Sequence, residues 1–221
     1  MKDVTGKAHQ FFTEQLDIDP VALREYSDKW YNHLKEADPE RAKGLNYKKD
    51  VDGQLMQAFI ESHNVLLETN DTSYQILSAV RRLTKQACEY YGIDYVQKKY
   101  HIHAWLNYAR GPRIVREHDQ IALDDHGSFP DRLHGYYAIN AEPSKTFYEL
   151  DEDNPDQEQG LWPYENKNGR VMLSLSGYGH GVGNWESTEP RITLAYNVIP
   201  LEQVPPYNPH GIYIPLFVEN A

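Results

Sequence analysis

The chain contains a single cysteine, Cys88, so no disulfide can form within it. That composition suits a reducing compartment, and the cytoplasm is the expected location, the host's cytoplasm if a phage encodes the protein. No stretch approaches the roughly eighteen consecutive apolar residues of a membrane span. The opening MKDVTGKAHQFFTEQ also lacks the apolar core of a signal peptide, so no membrane association is expected. Basic residues are scarce: 22 Lys and Arg stand against 33 Asp and Glu, a formal net charge of −11, and none of the basic residues cluster. Neutralising phosphates needs such clusters, so a duplex nucleic acid is not an expected partner. Internal repeats and long low-complexity segments are absent too.

What is present divides into two halves. At 221 residues the expectation is one domain with a sizeable core. The first ninety or so residues read as helix. Asp19-Pro20 is an N-cap followed by proline at the first helical position, and Leu23, Tyr26, Trp30 and Leu34 follow at helical spacing. Gln54–Glu68 carries Leu55, Phe59, Ile60, Leu66 and Leu67 and reads as a second amphipathic helix. Residues 70–73 offer caps for a third, with Ile76, Leu77, Val80, Leu83, Ala87 and Tyr91 on one face and Gly92 as its stop. From Tyr95 the apolar period drops to two. Tyr100–Arg110, a segment starting near Arg113, Gly135–Asn140, Ser144–Leu150, Arg170–Ser176 and Arg191–Ile199 read as short strands. Helices followed by many strands argue an α+β fold. Residues 1–94 form the expected helical layer, 95–200 the sheet core and 201–221 a C-terminal tail.

The histidines of the strand half carry the chemistry. His180 lies on a glycine-rich turn in GYGHGVGNW, just before the strand that opens with Arg191. His118 and His126 lie in or just after the second strand. An early and a late histidine can converge when strands roll into a barrel. Two histidines and a carboxylate on one side of a metal leave positions open for an oxidant and a co-substrate. Arg191 and Thr193 point to one face of their strand. The guanidinium can hold a carboxylate in a bidentate fork, and the threonine hydroxyl can share it.

Three stretches resemble the 2-oxoglutarate/Fe(II)-dependent oxygenases, and most closely their small phage and marine-bacterial branch. They are NGRVMLSLSGYGHGVGNWESTEPRITLAYNVIP, HGYYAINAEPSKTFYEL and AWLNYARGPRIVREHD, within residues 100–200. The resemblance implies a double-stranded β-helix, the jelly-roll or cupin-like core, with the N-terminal helices packed on it. It implies Fe(II) as cofactor, 2-oxoglutarate and O2 as co-substrates, and hydroxylation of a small molecule or a protein side chain. By the same resemblance His180 is the distal iron ligand, Arg191 and Thr193 bind the far carboxylate of 2-oxoglutarate, and Tyr108 adds a phenol to that pocket. The proximal motif departs from the family pattern. In REHDQIALDDHGSF, spacing from Trp105 selects His118, whose i+2 neighbour Gln120 has no charge to offset Fe(II). Spacing from Gly135-Tyr136-Tyr137 selects Asp124 and His126, a carboxylate and an imidazole in reversed order. That irregularity leaves two further readings open: a non-catalytic jelly-roll binding or structural module with a degenerate metal site, and a cupin-type metal enzyme that does not use 2-oxoglutarate.

Overall fold

A computed structural model describes residues 9–37, 56–58, 64–67, 71–109, 131–149, 161–183, 185–204 and 212–217. In chain order the elements are β1 (Phe12–Gln15), α1 (Pro20–Ala37), β2 (Met56–Ala58), α2 (Asp71–Tyr91), α3 (Tyr95–Lys98), β3 (His101–Ala109) and β4 (Leu133–Asn140). They continue with β5 (Lys145–Tyr148), β6 (Trp162–Glu165), β7 (Arg170–Leu175), β8 (His180–Gly183), β9 (Arg191–Ile199) and β10 (Ile214–Pro215). Among the described residues, no helix is long and apolar enough to cross a membrane.

Two antiparallel sheets result. The larger runs β1-β7-β4-β9-β3-β10, with β2 also paired to β3, and the smaller runs β6-β5-β8. In the larger sheet one face is apolar. Ile102, Ala104, Leu106 and Tyr108 of β3 lie opposite Val198, Tyr196, Leu194 and Ile192 of β9. Leu133 and Tyr137 of β4 extend that face towards Leu175 and Val171 of β7. Ile76, Ala79, Val80, Leu83 and Ala87 of α2 share one buried cluster with these residues. The other face of the larger sheet looks towards the smaller sheet, and side-chain contacts described below span the gap. Covering on both faces explains why β9 is buried along nearly its whole length.

α1 starts and α2 stops where the caps direct. The Asp19 carboxylate accepts the Val21 N–H at 2.9 Å. Gly92, at φ +73°, lets the chain leave α2 while the Ile93 N–H closes on the Cys88 carbonyl at 2.8 Å. Two N-terminal stretches are strands instead of helix. Phe12–Gln15 pairs antiparallel with Arg170–Leu173 of β7, and Met56–Ala58 pairs with Asn107–Ala109 of β3. Both give their backbone groups to a sheet edge formed far away in sequence, which outweighs weak local helix preference. Leu66, read as part of the second helix, lies instead in a short 3-10 turn, Val65–Leu67.

Cys88 lies on the buried face of α2, fully covered. Burial pushes its thiol up to about 12, against a smaller opposing effect of the Tyr100 hydroxyl. A thiol reagent at about pH 8 should therefore leave the native protein unmodified and label one group per chain after unfolding. Labelling of the native protein at the denatured rate would contradict this packing.

Candidate active site

The strand registers decide which side chains enter the space between the sheets. On β9 these are Arg191, Thr193, Ala195 and Asn197, opposite Ala109, Asn107, Trp105 and His103 of β3. On β4 they are His134 and Tyr136, opposite Ser174 and Met172 of β7. On the smaller sheet Tyr148 lies opposite His180, and Thr146 opposite Val182. Pairs that lie opposite each other share a face, so these residues converge from both sheets.

One end of this space is built around Arg191, which is only 5% exposed. Its Nε donates to the Ser144 hydroxyl at 2.9 Å. The same hydroxyl accepts from Asn166 Nδ2 at 2.9 Å and donates to the Ala141 carbonyl. Asn166 Oδ1 accepts the Tyr136 hydroxyl and lies 3.1 Å from Thr146 Oγ1. The backbone fixes the hub as well, because the Asn166 N–H reaches the Ser144 carbonyl at 3.0 Å. Nε is thus engaged by a neutral hydroxyl. Burial raises the Tyr136 phenol above its ordinary range, so it stays protonated at neutral pH. Thr193 is buried beside Arg191 on the same face of β9.

The other end is built around His180, the first residue of β8. Its Nδ1 lies 3.3 Å from the Tyr178 carbonyl. A carbonyl only accepts, so Nδ1 carries the proton in this contact. The His180 ring stacks on Tyr148 at 5.5 Å between centroids and lies 4.5 Å from the ring of His134. His134 Nε2 is 3.0 Å from the Ser174 hydroxyl. Tyr148 is fully buried, and burial holds its phenol well above the ordinary value. Among the described residues its hydroxyl finds no hydrogen-bond partner. A buried neutral phenol next to two imidazoles is a donor suited to a ligand. His9 closes this end from the β1 side, with its ring 4.4 Å from that of Tyr178.

The residues expected at the site are therefore placed as follows. Arg191 and Thr193 sit together at one end and His180 at the other. Tyr108 is not brought to them. It pairs with Ile192, on the face turned towards the helices, and its phenol donates to Asp28 of α1. A shift of one residue along β3 separates it from the Arg191 face. His118, Asp124 and His126 lie outside the described residues. Among the described residues, no group of three or more His, Cys, Asp and Glu side chains is arranged to hold a metal. Sequence reasoning did not single out His134, Tyr136, Ser144, Tyr148 or Asn166. His134 and Tyr136 had a readable signal, because they alternate with Leu133, Gly135 and Tyr137. The Ser144–Asn166 contact had none.

No family model matches the chain, and no curated protein matches it. Solved structures do. HygX from Streptomyces hygroscopicus, a structure with nickel and 2-oxoglutarate bound, is similar over 87% of this chain and 83% of that one, at 9% identity and a TM-score of 0.52. A Pseudomonas putida prolyl-4-hydroxylase aligns over 87% of this chain and 94% of its own, at 13% identity and a TM-score of 0.47. The epimerase SnoN, in complex with Fe3+, alpha ketoglutarate and nogalamycin RO, aligns over 87% and 79%, at 13% identity and a TM-score of 0.47. At the HygX score the likeness is one of fold.

Proposed function

We propose that the chain is an Fe(II)- and 2-oxoglutarate-dependent oxygenase that hydroxylates a small molecule or a protein side chain. One observation carries the reading: His180, its ring held against Tyr148 and Tyr178, and the buried Arg191, its Nε held by Ser144, both lie between the two sheets. β5 sets the span, because Ser144 precedes it beside Arg191 and Tyr148 ends it beside His180. Four residues of strand cover about 13 Å. A metal–nitrogen bond of about 2 Å, a five-carbon diacid of about 5 Å and a charged hydrogen bond of about 2.8 Å together fill most of that length.

The donor set suits such a group. His180 rests its Nδ1 on a carbonyl, the kind of contact that fixes the ring of a metal-binding imidazole. When bound, Fe(II) and 2-oxoglutarate would supply the oxidative chemistry, in which O2 is consumed and 2-oxoglutarate leaves as succinate and CO2. The chain's own residues do the rest. Arg191 and Thr193 hold the distal carboxylate, and Ser144 and Asn166 hold Arg191 at the angle required. Tyr148 and Tyr178 line the metal end and exclude water from it. The remaining ligands would come from His118, or from Asp124 and His126. The net charge of −11 fits a substrate other than nucleic acid.

Anaerobic titration of the apo protein with Fe(II) and 2-oxoglutarate tests this. A visible metal-to-ligand charge-transfer band is expected for the wild type and not for His180→Ala. Folded wild-type protein that gives no band at any concentration would move the assignment to a non-catalytic jelly-roll module. Gln120, two residues after His118, is the feature that favours that second reading. Metal retained without affinity for 2-oxoglutarate would favour a cupin-type metal enzyme.

A further inference from the structure

Two contacts orient the His180 ring: its stack on Tyr148, and the bond from Nδ1 to the Tyr178 carbonyl. Each of these tyrosines is packed in turn by a residue just before β1. Phe11 meets the Tyr148 ring edge-on at 4.8 Å between centroids and lies 4.9 Å from the Tyr164 ring. His9 meets the Tyr178 ring edge-on at 4.4 Å and the Phe11 ring edge-on at 4.7 Å. Tyr148 depends on such packing. The β5 ladder fixes its backbone, but its buried hydroxyl has no hydrogen-bond partner among the described residues, so the neighbouring rings set the angle of its own. The arm that brings Phe11 and His9 here is itself anchored. Phe12–Gln15 pairs with β7, the Leu16 N–H closes on the Gly169 carbonyl at 2.8 Å, Glu14 pairs with Arg82 of α2, and the Gln10 N–H donates to the Tyr91 hydroxyl at 3.0 Å. Alternation then sends Phe12 to Tyr90 and Tyr91 of α2, and Phe11 to the smaller sheet.

We propose that the N-terminal arm is part of the site: Phe11 and His9 are positioning residues for His180, Phe11 acting through the Tyr148 ring and His9 through Tyr178. The inference rests on the reading of His180 as a metal ligand. It adds two residues that lie far in sequence from the strands on which the site was read. An imidazole held at a fixed angle loses less freedom when a metal binds, so restraint of the ring raises affinity. Phe11 and His9 supply that restraint from one anchored segment, each through a different contact of the same ring. A side chain that only filled the edge between the sheets would add to stability and leave the orientation of His180 unchanged.

The test is a long-range 1H–15N correlation spectrum of the metal-free protein with labelled histidines, His180 being assigned from His180→Ala. The wild type should show His180 predominantly with its proton on Nδ1. Phe11→Leu removes the ring edge and keeps an apolar side chain; His9→Ala removes the ring against Tyr178. Each should raise the minor tautomer by about two- to tenfold, the equilibrium equivalent of one lost aromatic pair. Phe11→Tyr, which keeps the ring, should restore the wild-type spectrum. Phe12→Leu is the control: it removes a ring from the α2 face of the same arm, and should lower the melting temperature without moving the His180 signals. Co(II) affinity, read from visible absorption, should fall in Phe11→Leu and His9→Ala by a factor similar to the tautomer change, and should stay at the wild-type value in Phe12→Leu. His180 signals unchanged in both arm variants, or changed as much by Phe12→Leu, would overturn the positioning role. Altered His180 signals together with no Co(II) binding by the wild type would overturn the metal reading and leave the positioning of the ring standing. If Phe11→Leu does not fold, His9→Ala, at a half-buried position, decides alone.

Discussion

Arg191→Ala should weaken 2-oxoglutarate binding by about 2–5 kcal/mol, roughly 30- to 5000-fold. The size follows from what the substitution leaves behind. The distal carboxylate would enter a pocket walled by Ser144, Asn166 and Tyr136, neutral groups that already hold one another. It would lose its cation and keep its desolvation cost. Arg191→Lys should recover only part of the loss, because an ammonium cannot make the two parallel bonds of a guanidinium fork. Ser144→Ala separates orientation from charge. It removes the Nε acceptor but keeps the guanidinium, and should cost about 1 kcal/mol, near fivefold. Pyruvate supplies the internal control. It shares the keto-acid end and has no distal carboxylate, so wild type and Arg191→Ala should bind it alike. The measurement is a calorimetric or charge-transfer titration of each ligand on variants with native melting curves. Unchanged 2-oxoglutarate affinity in Arg191→Ala would remove Arg191 from the site. An equal loss for pyruvate would mean that the substitution had damaged the fold of the site.

How far the sequence led can be followed residue by residue. Period and caps located the helix Asp71–Tyr91 closely, since capping residues and the Gly92 stop act within a few residues of each end. The alternation in β3 and β9 was legible for the same reason. It did not reveal that both faces would be covered, with His103 and Trp105 buried on the face opposite the helices. Tyr108 shows the limit of a strand read without its partner. Its distance along the chain from the Arg191 strand is compatible with either face, and only the register with Ile192 settles it. β1 and β2 were not legible, because a strand of three or four residues owes its conformation to β7 or β3 and not to its own side chains. The Ser144–Asn166–Arg191 network joins three separate segments, and no local pattern encodes such a meeting. The His134 and His180 pair falls between these cases. Each ring's face could be read from alternation, but their meeting depends on one sheet lying over the other.

Gly135→Ala should destabilise the protein by at least about 3 kcal/mol, at the upper end of what overpacking costs, because what must move is backbone. Gly135 sits in β4 between β7 and β9, opposite Leu173 and Tyr196. A Cβ there would lie 1.9 Å from the Met172 carbonyl oxygen, 2.9 Å from its carbon and 2.8 Å from Tyr196 Cε2. The Tyr196 ring reaches over the glycine to donate its hydroxyl to that same Met172 carbonyl at 2.6 Å. The position demands glycine for want of space, as strand glycines do where another group crosses closely. A flexible side chain could swing aside, but the nearest clash is with the strand of β7, so β4 and β7 would have to separate. Removing the ring as well, in Gly135→Ala/Tyr196→Ala, should therefore fail to restore stability. Tyr196→Phe alone should cost only about 1–2 kcal/mol, for one buried carbonyl left without its donor. Denaturant melts of the variants decide this, and a Gly135→Ala midpoint close to the wild type's would refute the close approach of β4 to β7.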